Sequence, residues 1–101
     1  MNVKFRVKIT ARAERDLRDI WLIIAEHSLE NADGFLHRLD MRIDSLVEFP
    51  DRGADRSDIF EGIRMLVEGS YLILYRRKAT KVEVLRVVYG GMDLSKLNLN
   101  N

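Results

Sequence analysis

The side chains that could take part in chemistry are mainly basic and aromatic, and they cluster in the second half of the chain. Arginine guanidinium groups match phosphates and carboxylates, aromatic rings stack on bases, and both residue types are common hot spots of protein interfaces. The set could therefore bind nucleic acid, anchor a protein partner, or only keep strand edges from aggregating. Its members are Arg64, Tyr71, Tyr75, Arg76, Arg77, Lys78, Lys81, Arg86 and Tyr89.

The spacing of the other reactive residues gives little support to metal or covalent chemistry. His27 and His37 have no companions at metal-ligand spacing. Asp40 and Asp44 lie one helical turn apart, but arginines are interleaved with them, which favours a solvated helix face. The sequence has no cysteine, and its glycines are scattered except for the pair at 90–91. Thiolate sites and Gly-rich phosphate loops are thereby excluded, and we expect no metal and no cofactor.

Length and composition indicate one globular domain spanning residues 1–101. The chain of 101 residues is 47% hydrophobic and 33% charged, which is too apolar for a disordered protein. No apolar run approaches the ~20 residues that span a bilayer, and Lys4, Arg6 and Lys8 interrupt the N-terminal stretch where a signal peptide would be apolar. We therefore expect a cytoplasmic protein.

The formal net charge of +1 conceals an uneven distribution of charge along the chain. Residues 1–20 and 76–86 are mainly basic, whereas residues 26–61 contain ten acidic and four basic side chains. If the two basic segments are neighbours in the fold, the protein has a basic side and an acidic side. Such asymmetry bears on partners rather than on the fold.

Hydrophobic periodicity predicts a strand followed by two helices. Apolar residues alternate with basic ones from Val3 to Ile9, which is typical of a half-buried strand. Thr10 can cap a helix whose apolar stripe is Ala13, Leu17, Ile20, Trp21 and Ile24, with Asp16 on the opposite face. Residues 28–31 read as a link, residues 35–47 as a second amphipathic helix that ends before Pro50, and residues 51–58 as a loop.

Three strands are predicted after Gly62, at Ile63–Val67, Tyr71–Arg77 and Val82–Tyr89, joined by connections of hairpin length. The predicted order is β-α-α-β-β-β. The chain is therefore expected to be an α+β domain, in which an N-terminal antiparallel helical hairpin packs on one face of an antiparallel sheet.

The last two strands have apolar side chains on both faces, which is more than two helices can cover. Leu72 and Leu74 oppose Tyr71, Ile73 and Tyr75. In the last strand we expect Val82, Val84 and Val88 on one face, and Leu85, Val87 and Tyr89 on the other. The C-terminal tail or a loop could cover the second face. The interpretation that we favour is a protein-binding surface.

The sequence resembles the RelE/ParE toxin superfamily of bacterial type II toxin–antitoxin systems from Val7 to about Asp93. The segments that carry the resemblance are individually weak, but their order and spacing are fairly specific. They are Ile9–Ala11 leading into Ala13, Leu17 and Ile20, the turn Phe49–Gly53, and the segments Gly62–Leu66, Tyr71–Arg76 and Val82–Tyr89.

The superfamily includes two functions of different classes. RelE-like members are ribosome-dependent mRNA endonucleases, or mRNA interferases. The chain departs from their catalytic pattern at Leu72, where a basic residue is expected. It departs again at 90–92, where an arginine is expected, and at 94–97, where a tyrosine is expected. ParE-like members, which include plasmid stabilisation proteins, bind and poison DNA gyrase and are silenced by an antitoxin.

The long helical hairpin and the Gly62–Arg64 opening of a strand resemble the ParE-like branch more closely. One departure concerns the end of the last strand, where that branch often has histidine followed by Arg-Asp. This chain has Tyr89 and then Gly90, Gly91 and Met92 before Asp93. A weakened toxin, or a degenerate member that only binds an antitoxin, is a further possibility.

The resemblance implies a ParE-like toxin that inhibits DNA gyrase without catalysis of its own and forms a hetero-oligomer with a ParD-like antitoxin. Direct nucleic-acid binding is a less favoured possibility. The alternative, an mRNA endonuclease that needs no metal, would use Arg64, Tyr75, Arg76 and Arg86. We expect the partner-binding residues of the ParE-like function to be Arg64, Leu72, Leu74, Arg76, Arg86, Tyr89 and Asp93.

Overall fold

The computed structural model describes residues 4–97 and 99, and these form a helical hairpin packed on one face of a five-stranded sheet. The elements are β1 (Arg6–Ile9), α1 (Ala11–Ala25), α2 (Leu29–Asp44), β2 (Ala54–Asp55), β3 (Ile63–Glu68), β4 (Tyr71–Arg77) and β5 (Lys81–Tyr89), with 3₁₀ turns at Ser45–Val47 and Leu94–Lys96. The predicted α+β class and helical hairpin are confirmed. No helix in this part of the chain is long and apolar enough to cross a membrane.

Side-chain caps fix the start of each helix. The Thr10 hydroxyl accepts a hydrogen bond from the N–H of Ala13, and the Ser28 hydroxyl accepts one from the N–H of Asn31. Such caps satisfy N–H groups that have no partner within the helix. The cap at Ser28 starts α2 at Leu29, so most of the segment predicted as a link is helical. Val3, which we assigned to the first strand, lies outside the described residues.

The sheet is mixed rather than purely antiparallel, with the strand order β1-β5-β4-β3-β2. β5 is antiparallel to β4, which is antiparallel to β3, whereas β1 is parallel to β5. The cause is the segment between α2 and β3. It contains β2, which runs antiparallel to β3 and turns the chain so that β3 has the same direction as β1. The predicted loop therefore contains a two-residue strand.

A bulge in β5 changes which side chains face the helices. Tyr75 is opposite Val84 but Leu74 is opposite Arg86, so Leu85 is the extra residue. As a result Val82, Val84 and Val87 pack under the helices, while Leu85 and Val88 lie on the other face. The predicted faces of Val87, Val88 and Tyr89 are therefore wrong, because an inserted residue shifts the alternation beyond it.

The second face of the sheet is covered by the chain itself. Its buried side chains are Ile63, Leu72, Leu74, Leu85 and Val88, and partly buried Ile59, Met65, Leu94, Leu97 and Leu99 pack against them. The C-terminal tail and the loop before β3 thus cover the apolar surface that we interpreted as a partner-binding site. In this conformation the structure agrees with the alternative that we favoured less.

Candidate functional site

Tyr75 is buried and binds the loop that follows α2. Its hydroxyl donates to the carbonyl oxygen of Pro50 at 2.8 Å and accepts from the N–H of Gly53 at 2.9 Å. Burial raises the pKa of the phenol. A Cβ atom at Gly53 would lie 2.6 Å from the Tyr75 hydroxyl oxygen, so only glycine fits there. The conspicuous Phe49–Gly53 turn in the sequence is thus explained by packing.

Arg64 and Arg77 hold the same loop from the sheet. One guanidinium nitrogen of Arg64 donates to the carbonyl oxygens of Asp51 and Gly53, at 3.0 and 2.7 Å. The Asp51 carboxylate pairs with Arg64 at 3.6 Å and with Arg77 at 2.7 Å. Both guanidinium groups are therefore engaged within the chain, although each side chain remains partly exposed.

Arg76 and Lys78 share one carboxylate at the end of β4. Each places a side-chain nitrogen 3.1 Å from Glu83 Oε1 on β5. The hydrogen bond from Lys78 is the main cause that lowers the pKa of Glu83, with a further contribution from Arg76. The basic run at residues 76–78 is consequently paired with internal acids.

Arg86 is a buried structural residue, because its side chain turns to the first helix. Its Nε donates to Asp16 Oδ2 at 2.7 Å, and the same oxygen accepts the N–H of Val87 at 3.0 Å. Asp16, which we placed on the exposed face of α1, is buried as well. Thr10 donates its hydroxyl to the Leu85 carbonyl oxygen, so α1 covers the edge of β5 where β1 has ended.

Of the four residues that we proposed for RNA cleavage, Arg64 and Tyr75 lie together at the loop that follows α2, whereas Arg76 and Arg86 are held elsewhere. Tyr75 and Arg86 are buried, and the phenol and the guanidinium are bound to different elements. Arg64 and Arg76 are held by different acids. Cleavage of RNA without a metal requires an acid, a base and positive charge converging on one phosphate. The structure does not bring these four side chains together in such an arrangement.

The proposed partner-binding residues also fall into different environments. Leu72 and Leu74 are buried under the C-terminal tail, so they can contact a partner only if the tail moves. Asp93 caps the 3₁₀ turn by accepting from the N–H and the hydroxyl of Ser95, which lower its pKa. Arg86 is buried as well, and it lies beneath α1 rather than at the surface.

Tyr89 is the predicted site residue with the most exposed aromatic surface, at 57%. Its ring meets Tyr71 edge to face at 5.9 Å, and Tyr71 in turn packs on Phe35 at 5.6 Å. A Cβ atom on Gly91 would lie 2.5 Å from the Tyr89 ring. The Gly91 position that departs from the ParE-like pattern is therefore the one that makes room for this tyrosine. This aromatic ladder of Phe35, Tyr71 and Tyr89 ends at the surface.

Sequence reasoning missed a groove of about 530 Å³ between α1, α2 and the end of β1. Apolar side chains form most of its lining, and Glu14, Arg18 and Asp40 add charge. The lining comprises Ile9, Glu14, Leu17, Arg18, Trp21, Leu22, Leu36 and Asp40. The available signal was Leu22, an apolar residue outside the core-facing stripe that is more than half exposed. A groove of this size and character can hold apolar side chains of another molecule.

The titratable residues near the helices form no evident metal site. Among residues 4–97 and 99, no three His, Cys, Asp or Glu side chains are grouped so that they could hold a metal ion. Asp40 has a raised pKa, because it is partly desolvated and lies near Asp44. His27 and His37 are both exposed on the helical hairpin.

Comparison with known proteins identifies relatives over most of the chain. The family described as ParE toxin of type II toxin-antitoxin system, parDE, matches residues 7–94. Toxin ParE1 of Caulobacter vibrioides is 29% identical over 87 residues, which cover 85% of this chain and 90% of that protein. Toxin ParE3 of the same organism is 31% identical over 91 residues, with 89% and 91% covered.

Two solved structures have a similar fold. A chain from the chromosomal ParDE TA system of P. aeruginosa aligns with a TM-score of 0.73 at 21% identity and covers 85% of this chain and 96% of its own. A chain from the toxin–antitoxin complex RelBE2 of Mycobacterium tuberculosis aligns with a TM-score of 0.54 at 28% identity, with 86% and 99% covered. Together with the match over residues 7–94, these relatives show that the chain belongs to the ParE toxin family of type II toxin–antitoxin systems.

Proposed function

We propose that this toxin acts in the cytoplasm by binding DNA gyrase and holding it in a state that leaves DNA broken, and that a cognate antitoxin neutralises it. The observation that carries the proposal is the arrangement of the predicted site residues. Arg64, Arg76 and Arg86 are engaged with internal acids, whereas Tyr89 presents a free aromatic surface. This arrangement suits a binding protein better than a nuclease.

Tyr89 is the central contact in this proposal. It has an exposed ring supported from below by Tyr71 and Phe35, so little side-chain freedom is lost when a partner covers it. Val67 in β3 and Met92 in the C-terminal tail are about half exposed and offer further apolar surface. Aromatic residues that are rigid before binding are frequent hot spots of protein interfaces. We assign Arg64, Arg76 and Asp93 to the rim of the same interaction.

The decisive experiment induces the chain alone in bacteria and follows translation, DNA damage and cell shape. Gyrase poisoning predicts filamentous cells with damaged DNA and continued protein synthesis. Arrest of translation within minutes would instead support the mRNA interferase, and unchanged growth would indicate a degenerate member. Purified protein should also inhibit supercoiling by purified gyrase and increase the amount of cleaved DNA that remains bound to the enzyme.

A pair of matched variants tests the role of Tyr89. Tyr89→Ala should weaken gyrase inhibition at least tenfold, since a hot-spot aromatic contributes more than about 1.4 kcal/mol. Phe60→Ala removes an aromatic ring of similar exposure from the loop before β3 and should leave inhibition unchanged. Equal effects of the two substitutions would remove Tyr89 from the interface.

A further inference from the structure

Three arginines line a cleft between α2, β3 and the loop that follows α2. Arg38 and Arg42 lie one turn apart on α2, Arg52 lies in the loop, and the cleft has a volume of about 440 Å³. Side chains at spacings of three and four share one face of a helix, so positions 38, 41 and 42 of α2 all face the cleft. The residues that line this arginine cleft are Arg38, Met41, Arg42, Ser45, Arg52 and Glu68.

The arginine cleft has more positive charge than its one acid can balance. The Glu68 carboxylate lies 3.5 Å from Nε of Arg38 and 3.0 Å from Nε of Arg42. Arg52 is exposed and, within residues 4–97 and 99, forms no ion pair. Among the same residues, the terminal guanidinium nitrogens of Arg38 and Arg42 donate no hydrogen bond. Three guanidinium groups face one carboxylate, which leaves a surplus of two positive charges and unused donors.

Two of the three guanidinium groups are held in place and remain accessible. The guanidinium carbon of Arg38 lies 5.1 Å from the ring centroid of Phe35, which belongs to the aromatic ladder. Arg42 is fixed by its hydrogen bond to Glu68. The side chains of Arg38 and Arg42 are nevertheless 58% and 41% exposed. A ligand that binds donors ordered in advance loses less conformational entropy on binding.

The composition of the lining favours phosphate groups over a peptide segment. Met41 is the one apolar residue among the six that line the cleft, whereas peptide docking depends on apolar and aromatic anchors. Guanidinium groups match the geometry of phosphate oxygens and stay charged at every physiological pH. Arginine contacts to successive phosphates bind a nucleic-acid backbone whatever its base sequence. The surplus charge of the cleft is therefore suited to a phosphodiester backbone.

The arginine cleft adjoins the surface that carries Tyr89. Glu68 is opposite Tyr71 on β4, and Tyr71 is opposite Tyr89 on β5, so these three residues form one row across the sheet. Because neighbouring strands lie about 4.8 Å apart, Glu68 and Tyr89 are separated by roughly 10 Å. A partner that covers Tyr89 therefore reaches the neighbourhood of the cleft.

We propose that the arginine cleft binds the phosphate backbone of the double-stranded DNA that gyrase holds, through Arg38, Arg42 and Arg52. Tyr89 contacts the gyrase protein, and the cleft contacts the DNA beside it. This inference rests on the proposed function and adds to it a second contact of different chemistry.

The test measures how salt affects binding of the full chain to gyrase. Fluorescence anisotropy of the labelled chain follows its binding to purified gyrase, with and without relaxed plasmid DNA, over a range of salt concentrations. Each phosphate contact that is lost lowers the slope of log K against log salt by about 0.9. Arg52→Ala should lower the slope by this amount for the gyrase–DNA complex, whereas Arg52→Lys keeps the charge and should retain the slope.

A matched variant controls for the loss of charge itself. Arg15 is an exposed arginine of α1 outside the cleft and, within the described residues, also forms no ion pair. Arg15→Ala should leave the slope unchanged, and Arg38→Gln combined with Arg52→Ala should lower it about twice as much as Arg52→Ala alone. An unchanged slope for Arg52→Ala, or an equal decrease for Arg15→Ala, would overturn the proposal. Equal urea midpoints of the single variants establish that the fold is retained.

The outcomes separate this inference from the proposed function. Gyrase inhibition that Arg52→Ala leaves intact, with an unchanged slope, would refute the DNA contact and preserve the proposed function. Binding to plasmid DNA that Arg52→Ala weakens, in a chain that does not inhibit gyrase, would support the cleft as a DNA site and refute the proposed function. Equal weakening by Arg52→Ala with DNA-free gyrase would show that the cleft binds an acidic protein surface and would overturn the assignment to DNA.

Discussion

The buried pair between Asp16 and Arg86 gives the sharpest test of the structure. Both side chains are about nine-tenths buried, and the carboxylate accepts two hydrogen bonds from Arg86 and one from the N–H of Val87. Asp16→Ala leaves a buried guanidinium without its carboxylate and a buried N–H without its acceptor. Removal of one member of such a pair costs about 3–5 kcal/mol.

That loss is a large part of the roughly 5–15 kcal/mol that stabilises a typical domain. It corresponds to a decrease in Tm of at least about 12 °C for a domain of this size. Urea denaturation followed by circular dichroism measures the free energy of unfolding directly. Arg12→Ala is the control: its Nε lies 4.0 Å from the same carboxylate on an exposed side chain, so it should cost less than about 0.5 kcal/mol.

The buried pair should also allow a rescue. Replacing both charges, as in Asp16→Leu with Arg86→Met, should recover part of the stability lost by Asp16→Ala, because the unbalanced buried charge is then gone. A free energy of unfolding for Asp16→Ala within 1 kcal/mol of the Arg12→Ala value would refute the buried pair.

Four further substitutions test other contacts. Tyr75→Phe should lower the free energy of unfolding by about 1–3 kcal/mol, because Pro50 and Gly53 lose their hydrogen-bond partner; an unchanged urea midpoint would contradict this. Glu83→Gln should destabilise the fold at pH 7, and the deficit should vanish in acid. The pKa of Glu83 is lowered in the folded state, so its ionised carboxylate stabilises the fold at neutral pH, and this stabilisation is lost as the pH falls through that lowered pKa. Asp40→Asn should be more stable than the original chain at pH 7 but equal at pH 3, since a raised pKa penalises only the ionised carboxylate; a constant difference would be inconsistent with this cause. Leu97→Ser should increase binding of a hydrophobic dye by uncovering the second face of the sheet, and unchanged fluorescence would argue against the tail as its cover.

The local elements were predictable because each has its own periodicity. Alternation marked the strands, and spacings of three and four marked the helices. The pairing of β1 with β5 was not predictable in the same way, because the direction of a strand depends on a loop whose path periodicity does not encode. The bulge at Leu85 was not predicted either, because strict alternation was assumed along the whole strand. Its one trace in the pattern is Arg86, which strict alternation would place on the apolar face of Val82 and Val84.

The candidate site was harder to predict, because basic side chains indicate function and internal pairing equally well. Arg86 illustrates the difficulty: it lies in a strand rich in valine and leucine, where it reads as an exposed functional group. The clue to its burial was Asp16, three residues after Ala13 and four before Ile20, which places it on the buried stripe of α1. The groove required the tertiary structure, since its lining residues come from three elements.

The brevity of the sheet's open edge at β1 limits how this protein can assemble. Phe5 donates its N–H to the carbonyl oxygen of Val47 beside the start of β1, and within residues 4–97 and 99 the outward backbone groups of Val7 and Ile9, about 7 Å apart along the strand, have no backbone hydrogen bond to another element. A single short segment saturates this stretch. The opposite edge of the sheet is short as well, because β2 pairs with Arg64 and Met65 of β3 and leaves only residues 66–68 of that strand beyond the pairing.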